Sequence, residues 1–572
     1  MLLTLLAWLY ITWNCFAWGH LLFRLAGRRF LLPDRAPDPG ITCLTGLLTI
    51  GMLASWASLF TALDGFPHAI VLGGTIGWTL GRTNRRFLRD SILPLKTAVS
   101  SWPIGALLAA CLLLVLVISS YEIKHPDTLI YHAQAIHWME TYKAVPGLVH
   151  LDSMMAMANL WFTAMAMFRF NFLGAHPFLF LNGAVLCWFF GFIGNRLAAS
   201  RTANGYHWQE TTGWLLLLVF SLLSWTQVRL TAASASPDFI VSLLCWSSFY
   251  LLLKGWPQTG NSKAVPLYLF LLVFFTCGAF VSKLSTAALV LLPLLVAGRL
   301  LWQRQYRAFS WLPLTLLLFL LPFCLRNLIS AGYPFYPSSF MGNWWNPDWK
   351  YNPAKMTIVR EYVTAYARDP ERTTPVHEMA TAGPGQWIPV WWKTVAGVDQ
   401  LLLVSLALLL LAFLVRWPLK KLDSRWRLVL LVSGGGSLIW FWVAPAVRFG
   451  TGFLLPLWYC LFLAVWPSRF VKERWEGRAA LRGFAGLLLI VSLAASAYSI
   501  YRVTHYYLKD QVWVPAGVRA IPYTPVNCQG QVFNLTLEDD YSGFSPVPVI
   551  KDSCQRFRLR DTSLQSGFKA NP

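Results

Sequence analysis

Long apolar runs recur along the whole chain, and they dictate the solvent in which it folds. A membrane-spanning helix needs about 20 mostly apolar residues. Fourteen windows meet that description: 2–23, 41–63, 66–80, 103–120, 177–195, 213–230, 238–254, 266–282, 285–301, 311–326, 398–415, 428–446, 450–466 and 483–501. The runs are continuous, whereas the strands of a lipid-facing barrel alternate. Only 13% of the 572 residues are charged and 56% are hydrophobic, with mean hydropathy +0.50. Soluble domains carry roughly a quarter charged residues. A disordered chain, a fibrous chain and an ordinary soluble enzyme are therefore excluded. The expected fold is an all-α polytopic membrane protein with about 14 transmembrane helices, amphipathic helices on its outer face and a small outer C-terminal tail. The first run lacks a basic leader and a small-residue cleavage site, so it reads as a helix and not as a signal peptide.

The net charge is +22. In a soluble protein that would point to nucleic acid, but no zinc spacing, RNA-binding signature or basic helix accompanies it. Lys and Arg collect instead in alternate loops, near 24–40, 81–102, 196–211, 254–265, 299–310, 416–427 and 467–482. The short loops of the opposite side carry only Arg229, Lys283 and Arg448. The positive-inside rule makes the basic side cytoplasmic and places both termini outside. The apolar stretch 154–172 would invert every later loop if it crossed. It is therefore expected to lie along the outer surface or to dip in and return.

Three outward segments follow from this topology: 121–176, 326–397 and 502–572. The chain divides into extra N-terminal helices (1–100), a transmembrane module (101–501) and an outer cap (502–572). Eight cysteines lie in the apolar runs and read as buried small hydrophobes. Cys528 and Cys554 share the outward tail, where an oxidising compartment permits a disulfide; two free thiols are the alternative.

Charges beside membrane spans are costly and invite a functional reading. Arg229, Asp238, Lys283, Arg326 and Arg448 all fall at outer helix ends. Several cations converging on one pocket would suit a phosphate; singly, each is an ordinary helix-end or snorkelling cation. The densest polar cluster is YEIKHPDTLIYHAQAIHWMETYK. It holds Glu122, His125, Asp127, His132, His137 and Glu140, with near-helical apolar spacing over 128–142. An amphipathic helix on the outer surface is predicted there. Asp127 just before it is either an N-cap or a general base that orients an acceptor. Asp238, in Ser236–Pro237–Asp238, is a first-turn acid, a partner for Arg229 or a second site carboxylate. Loop 326–397 is rich in aromatics, including Tyr333, Trp391 and Trp392, which serve an interfacial belt or stack on sugar rings. No HExxH, DxD or nucleotide-binding loop occurs, so no cofactor is obligatory, although a divalent metal stays open.

Taken together, Asp127 in HPDTLIYHAQ, Asp238 in SPD, and the segments DTLIYHAQAIHWME, RNLISAGYPFYP and APAVRFG resemble the GT-C superfamily of integral-membrane glycosyltransferases. They resemble more narrowly an uncharacterised bacterial multi-pass branch related to it. Three spans precede the first outer loop where that superfamily usually has one helix. The resemblance implies a GT-C-like fold in a bacterial inner (plasma) membrane and transfer of a sugar from a polyprenyl phosphate donor on the extracytoplasmic face. The acceptor would be a glycan, a lipid or a protein, in cell-envelope assembly. Asp127 would be the base, with Asp238 beside it. Lys283, Arg326 and Arg448 would meet the phosphate, and His132, His137, Glu140, Arg229, Tyr333, Trp391 and Trp392 would line the substrate. Competing readings are a polymerase or ligase of lipid-linked oligosaccharides and a transporter or flippase of lipid-linked glycans.

Overall fold

A computed structural model describes residues 1–27, 30, 37–157, 159–174, 176–202, 205–206, 208–256, 267–416, 422–465, 475–507, 512–538, 540–551 and 553–571. Parts of the basic loops 24–40, 196–211, 254–265, 416–427 and 467–482 lie outside the described residues. The chain opens with α1 (Leu2–Ala26), α2 (Pro39–Ala57), α3 (Gly65–Leu80), α4 (Arg82–Ser100) and α5 (Trp102–Ser119). The long loop 121–176 holds α6 (Ala133–Thr141) and α7 (Leu160–Met167), and α8 (Leu181–Ala199) and α9 (Trp208–Leu223) follow it. The central helices are α10 (Asp238–Gly255), α11 (Leu267–Ser282), α12 (Leu291–Trp302), α13 (Tyr306–Phe309) and α14 (Trp311–Ala331). The second outer loop holds α15 (Pro353–Arg368), α16 (Val376–Thr381) and α17 (Pro384–Thr394). The last helices are α18 (Gly397–Arg416), α19 (Ser424–Val443), α20 (Val447–Val465) and α21 (Trp475–Tyr507).

The protein is all-α in its main body, and every one of the fourteen apolar windows contains helix. Among the described residues, nine helical segments are long and apolar enough to cross a membrane. Helices α9, α11 and the apolar part of α21 are apolar but shorter. Close backbone approach substitutes for a hydrophobic drive between helices in lipid. Gly46 of α2 faces the carbonyl of Cys15 on α1, where any Cβ would collide with backbone.

Two local outcomes differ from the sequence reading, and a third, at 154–172, keeps to the expected lack of a crossing. Residues 82–100 form helix α4, not a loop. Asn84, Ser91 and Ala98 are buried and Phe87 and Leu88 pack on the core beside them, while Arg86 and Arg89 point outward; the basic residues of 81–102, not a lack of helical spacing, make it read as a loop. The predicted surface helix 128–142 is a π-helical turn, Thr128–His132, running into α6. Its buried side chains have different covers: the tail covers Trp138, the main core takes Leu129, Ile136 and Met139, and Glu140 is buried against Arg169. Stretch 154–172 contains only the eight-residue α7, too short to cross and wholly buried.

The tail is built from β1 (Tyr523–Cys528), β2 (Gln531–Thr536), β3 (Val549–Ile550), β4 (Phe557–Leu559) and β5 (Phe568–Ala570). β1 and β2 form an antiparallel hairpin with β3 parallel to β2, and β4 pairs with β5. Cys528 and Cys554 form a disulfide with Cα atoms 5.5 Å apart. Phe533, Phe557 and Phe568 share one core with Trp138, Leu148 and Met155 of the first outer loop. Ser542 and Gly543 both donate backbone N–H groups to Leu129 O, and Ser542 Oγ donates to Ile130 O. These external donors occupy carbonyls of the π-helical turn. The tail also meets the start of α1, since Leu2 N–H donates to Val512 O, and the end of α5, since Ala516 N–H donates to Ser120 O. The start of the chain, the first outer loop and the tail therefore occupy one end of the bundle.

A buried polar knot locks this end. Arg169 Nε donates to Glu140 Oε1 at 2.6 Å, and His137 Nδ1 lies 3.2 Å from Glu140 Oε2. Arg169 also donates to Asn171 and to His176 O, and its guanidinium sits 4.0 Å from the Phe544 ring centre. Removing one partner of a buried pair costs about 3–5 kcal/mol, because the other charge stays desolvated. Arg169→Met is expected to lower the apparent Tm in lipid markedly, and Arg169→Met/Glu140→Met to recover much of the loss, as read by thermal unfolding.

Candidate functional site

Four charges far apart in sequence meet at this end of the bundle. Asp238 opens α10, Lys283 follows the last residue of α11, and Arg448 is the second residue of α20. Asp127 precedes the π-helical turn of the first outer loop. Arg448 Nη2 donates to Asp127 Oδ2 at 3.0 Å, and Arg448 Nε lies 3.4 Å from Asp238 Oδ2. Lys283 Nζ donates to Asp238 Oδ1 at 2.5 Å. The ring of Phe449 serves both cations, with its centre 3.5 Å from Lys283 Nζ and 4.9 Å from the Arg448 guanidinium carbon.

Local sequence explains each placement. Backbone at Lys283 is extended between α11 and a 3-10 turn over Leu284–Val290, so the side chain leaves the helical stack. Pro445 and Ala446 keep the chain out of helix before α20, and two tryptophans clamp them. Trp391 Nε1 donates to Pro445 O at 2.9 Å, and Trp440 Nε1 donates to Ala446 O at 2.8 Å. One turn along α20, Thr451 hydrogen bonds to Ser242 of α10 at 2.8 Å. Gly452 leaves room for Cys245, where a Cβ would stand 2.9 Å from its sulfur. That contact fixes the register of Arg448 against Asp238.

The two carboxylates differ. Asp238 is bound by two cations and its side chain is 7% exposed, whereas Asp127 is bound by one cation and is 23% exposed. Asp127 makes no side-chain cap bond to the following turn. Burial raises its pKa, but Arg448, with His125 and His132 beside it, outweighs burial and holds the carboxyl below the usual range. It is ionised at neutral pH and can accept a proton. His125 and His132, with ring centres 5.7 Å apart, are pushed down by burial to about 4 and about 3. Both are neutral at physiological pH. His125 Nδ1 is buried with no hydrogen-bond partner among the described residues.

The remaining predicted residues lie elsewhere. Arg326 is buried and donates to Ser58 O at 3.1 Å, and Arg229 donates to Leu222 O at 2.9 Å. His137 and Glu140 belong to the Arg169 knot. Tyr333 is buried with its hydroxyl on Tyr351 O, Trp391 braces Pro445, and Trp392 is partly exposed. Sequence reasoning passed over His125 as a site residue, and also Phe449 and Thr451. Adjacency to Asp127 and to Arg448 was the available signal for the first two. Among the described residues, no group of three His, Cys, Asp or Glu side chains is placed to hold a metal ion.

A family model covers residues 1–455, which include all four charges. The chain belongs to the DUF8201 family, described as a domain of unknown function. No curated protein and no solved structure matches it. The tail from 502 onward lies beyond the segment that the family model covers.

The histidines set a pH dependence. Their folded pKa values lie below the unfolded value of about 6.5, so the unfolded chain binds more protons between that value and about 4. Stability is then complete above the unfolded pKa and declines as pH falls. Asp127, Asp238, Arg448 and Lys283 are the charged groups around these rings. The expected outcome is a steady loss of thermal stability from pH 7 to pH 4.5, with a shallower slope in His132→Asn.

Proposed function

We propose that the chain is an integral-membrane glycosyltransferase of GT-C type that takes a sugar from a polyprenyl phosphate donor. The convergence of Asp127, Asp238, Lys283 and Arg448 at one end of the bundle carries this reading. In the proposed topology the protein has fourteen spans in a bacterial plasma membrane, and this end with both termini is extracytoplasmic. The donor and the released polyprenyl phosphate are membrane lipids, so no cytoplasmic nucleotide site is required.

The chemistry follows from charge. A sugar esterified to a polyprenyl phosphate carries one negative charge at its phosphate. When the bond from C1 to the phosphate oxygen breaks, that oxygen keeps the electron pair and the leaving group becomes a dianion. Lys283 and Arg448 gain attraction as this second charge develops, which lowers the barrier. An acceptor hydroxyl or amine attacks C1 from the opposite side, giving inversion, and its proton passes to Asp127. Asp238 keeps both cations oriented by pairing with each of them. Asp127 is the freer carboxylate and the one whose oxygen can turn toward an acceptor.

A transporter would place its polar groups near the midplane of the bilayer. Here all four charges sit at helix ends on one side, which favours an enzyme. A polymerase or ligase would use a diphosphate-linked donor, and the panel below includes one.

Protein in lipid, offered polyprenyl phosphate sugars and a diphosphate-linked glycan, is expected to release polyprenyl phosphate. General-base contributions of about 10²–10⁴ predict a loss of at least 10²-fold in Asp127→Asn. Full turnover in that variant would sink the assignment of the base. Release of polyprenyl diphosphate from the diphosphate donor, with no release from the monophosphate donors, would replace the transferase reading with the polymerase or ligase.

A further inference from the structure

Helix α4 presents a face that the bundle does not use, and both of its ends lie at the end of the bundle opposite the tail. α1 starts beside the tail, and in its last turn Arg24 Nη1 donates to Asn84 Oδ1 at 3.3 Å, near the start of α4. α5 finishes beside the tail, through Ser120 O, so Trp102 at its start lies at the opposite end, two residues after α4. The 19 residues of α4 extend over about 28 Å. A crossing of that length would bring the last turn of α4 back to the tail, whereas that turn meets the start of α5. The helix therefore lies across the far end of the bundle, with Asn84, Ser91 and Ala98 inward.

The outward face has two parts. Arg82, Arg85, Arg86 and Arg89 recur at the spacing of one helical stripe, Lys96 extends it, and all five are exposed. Asp90 is the single acid of the helix. Its carboxylate stands 3.9 Å from Arg86 Nε and 3.6 Å from Arg89 Nε, at exposed positions where such pairs are worth little. Past Arg89 the same side turns apolar. Leu93 is 61% exposed, Ile92 and Val99 beside it are exposed too, and Trp102 beyond them is 79% exposed. Tryptophan favours the depth of lipid headgroups. The apolar surface continues onto α5, a candidate span, through exposed Leu112 and Leu113. Cations followed by apolar side chains along one outward face match the edge of a lipid leaflet, which offers phosphate and then acyl chain.

We infer that α4 is a docking strip for acidic phospholipid, with Arg82, Arg85, Arg86 and Arg89 on the headgroup phosphates and Leu93 and Trp102 among the acyl chains. A zwitterionic headgroup also carries a phosphate, but its own cation offsets the attraction, so the strip selects net negative charge. The strip lies at the end opposite Lys283 and Arg448. A lipid held there is neither donor nor product of the proposed reaction, and the inference does not depend on that reaction.

The test is native mass spectrometry of the full chain, released from nanodiscs of equal parts phosphatidylglycerol and phosphatidylcholine. Phosphatidylglycerol is expected to be retained at least tenfold over phosphatidylcholine. That preference should fall at least fivefold in Arg85→Gln/Arg89→Gln and stay within twofold in Arg85→Lys/Arg89→Lys. Arg304 and Arg307 are exposed cations in the turn after α12, and Arg304→Gln/Arg307→Gln, an equal loss of charge, should leave the preference within twofold. Thermal unfolding in pure phosphatidylcholine checks that the variants fold alike. A phosphatidylglycerol carrying a diazirine on its acyl chain should label residues 92–102. No preference for the acidic lipid, an equal loss in both glutamine variants, or labelling confined to other segments would each overturn the inference. So would a short oligonucleotide that binds through Arg85 and Arg89 while the lipid does not.

Discussion

The ion-pair network of Asp127, Asp238, Lys283 and Arg448 is the constraint on which the outer end of the protein depends. Taking charges out of water costs several kcal/mol per ion, and only good geometry offsets it. The network meets that demand by closing on itself, with two acids, two bases and one aromatic ring shared by both cations. Its members come from the first outer loop and the ends of α10, α11 and α20. Those elements can be assembled in few other ways without stranding a charge. The tryptophans on Pro445 and Ala446 and the contact of Thr451 with Ser242 then act as supports for Arg448.

The tail adds a second level of assembly. It supplies donors to the carbonyls of Leu129 and Ile130, in the turn that begins just after Asp127. It also contributes Asp540, 3.9 Å from Arg372. Lys551 pairs with Asp152 at 2.7 Å, and Arg560 with Asp348 at 3.0 Å, tying the tail to both long loops. The turn that follows the proposed base is thus held by the tail.

Much of the helical body was legible in the sequence, because continuous apolar runs admit few alternatives in lipid. What escaped was whatever depends on contact. Helix α4 has helical apolar spacing, but its Lys and Arg residues made it read as a cytoplasmic loop. Helix α6 looked amphipathic and surface-bound, but the tail covers Trp138 on one side and the main core takes Ile136 and Met139 on the other. Lys283 and Arg448 were conspicuous as isolated charges between apolar stretches. Nothing local distinguished them from Arg326, which is equally isolated and serves only Ser58 O in this structure. The partner of Asp238 was open among Arg229 and others, and the geometry gives it Lys283 and Arg448. Asp127 and Arg448 are 321 residues apart, a separation that no spacing argument bridges.

The central claim is that Lys283 and Arg448 receive a lipid-borne phosphate while Asp127 faces the acceptor. The most direct measurement is a cryo-EM structure of the protein in nanodiscs with a non-cleavable polyprenyl phosphonate sugar bound. The account predicts the phosphonate oxygens within hydrogen-bond distance of Lys283 Nζ and the Arg448 guanidinium, with Asp127 on the opposite side of the sugar C1. A phosphonate seated at the other end of the bundle, or at this end with Lys283 and Arg448 untouched, would contradict it.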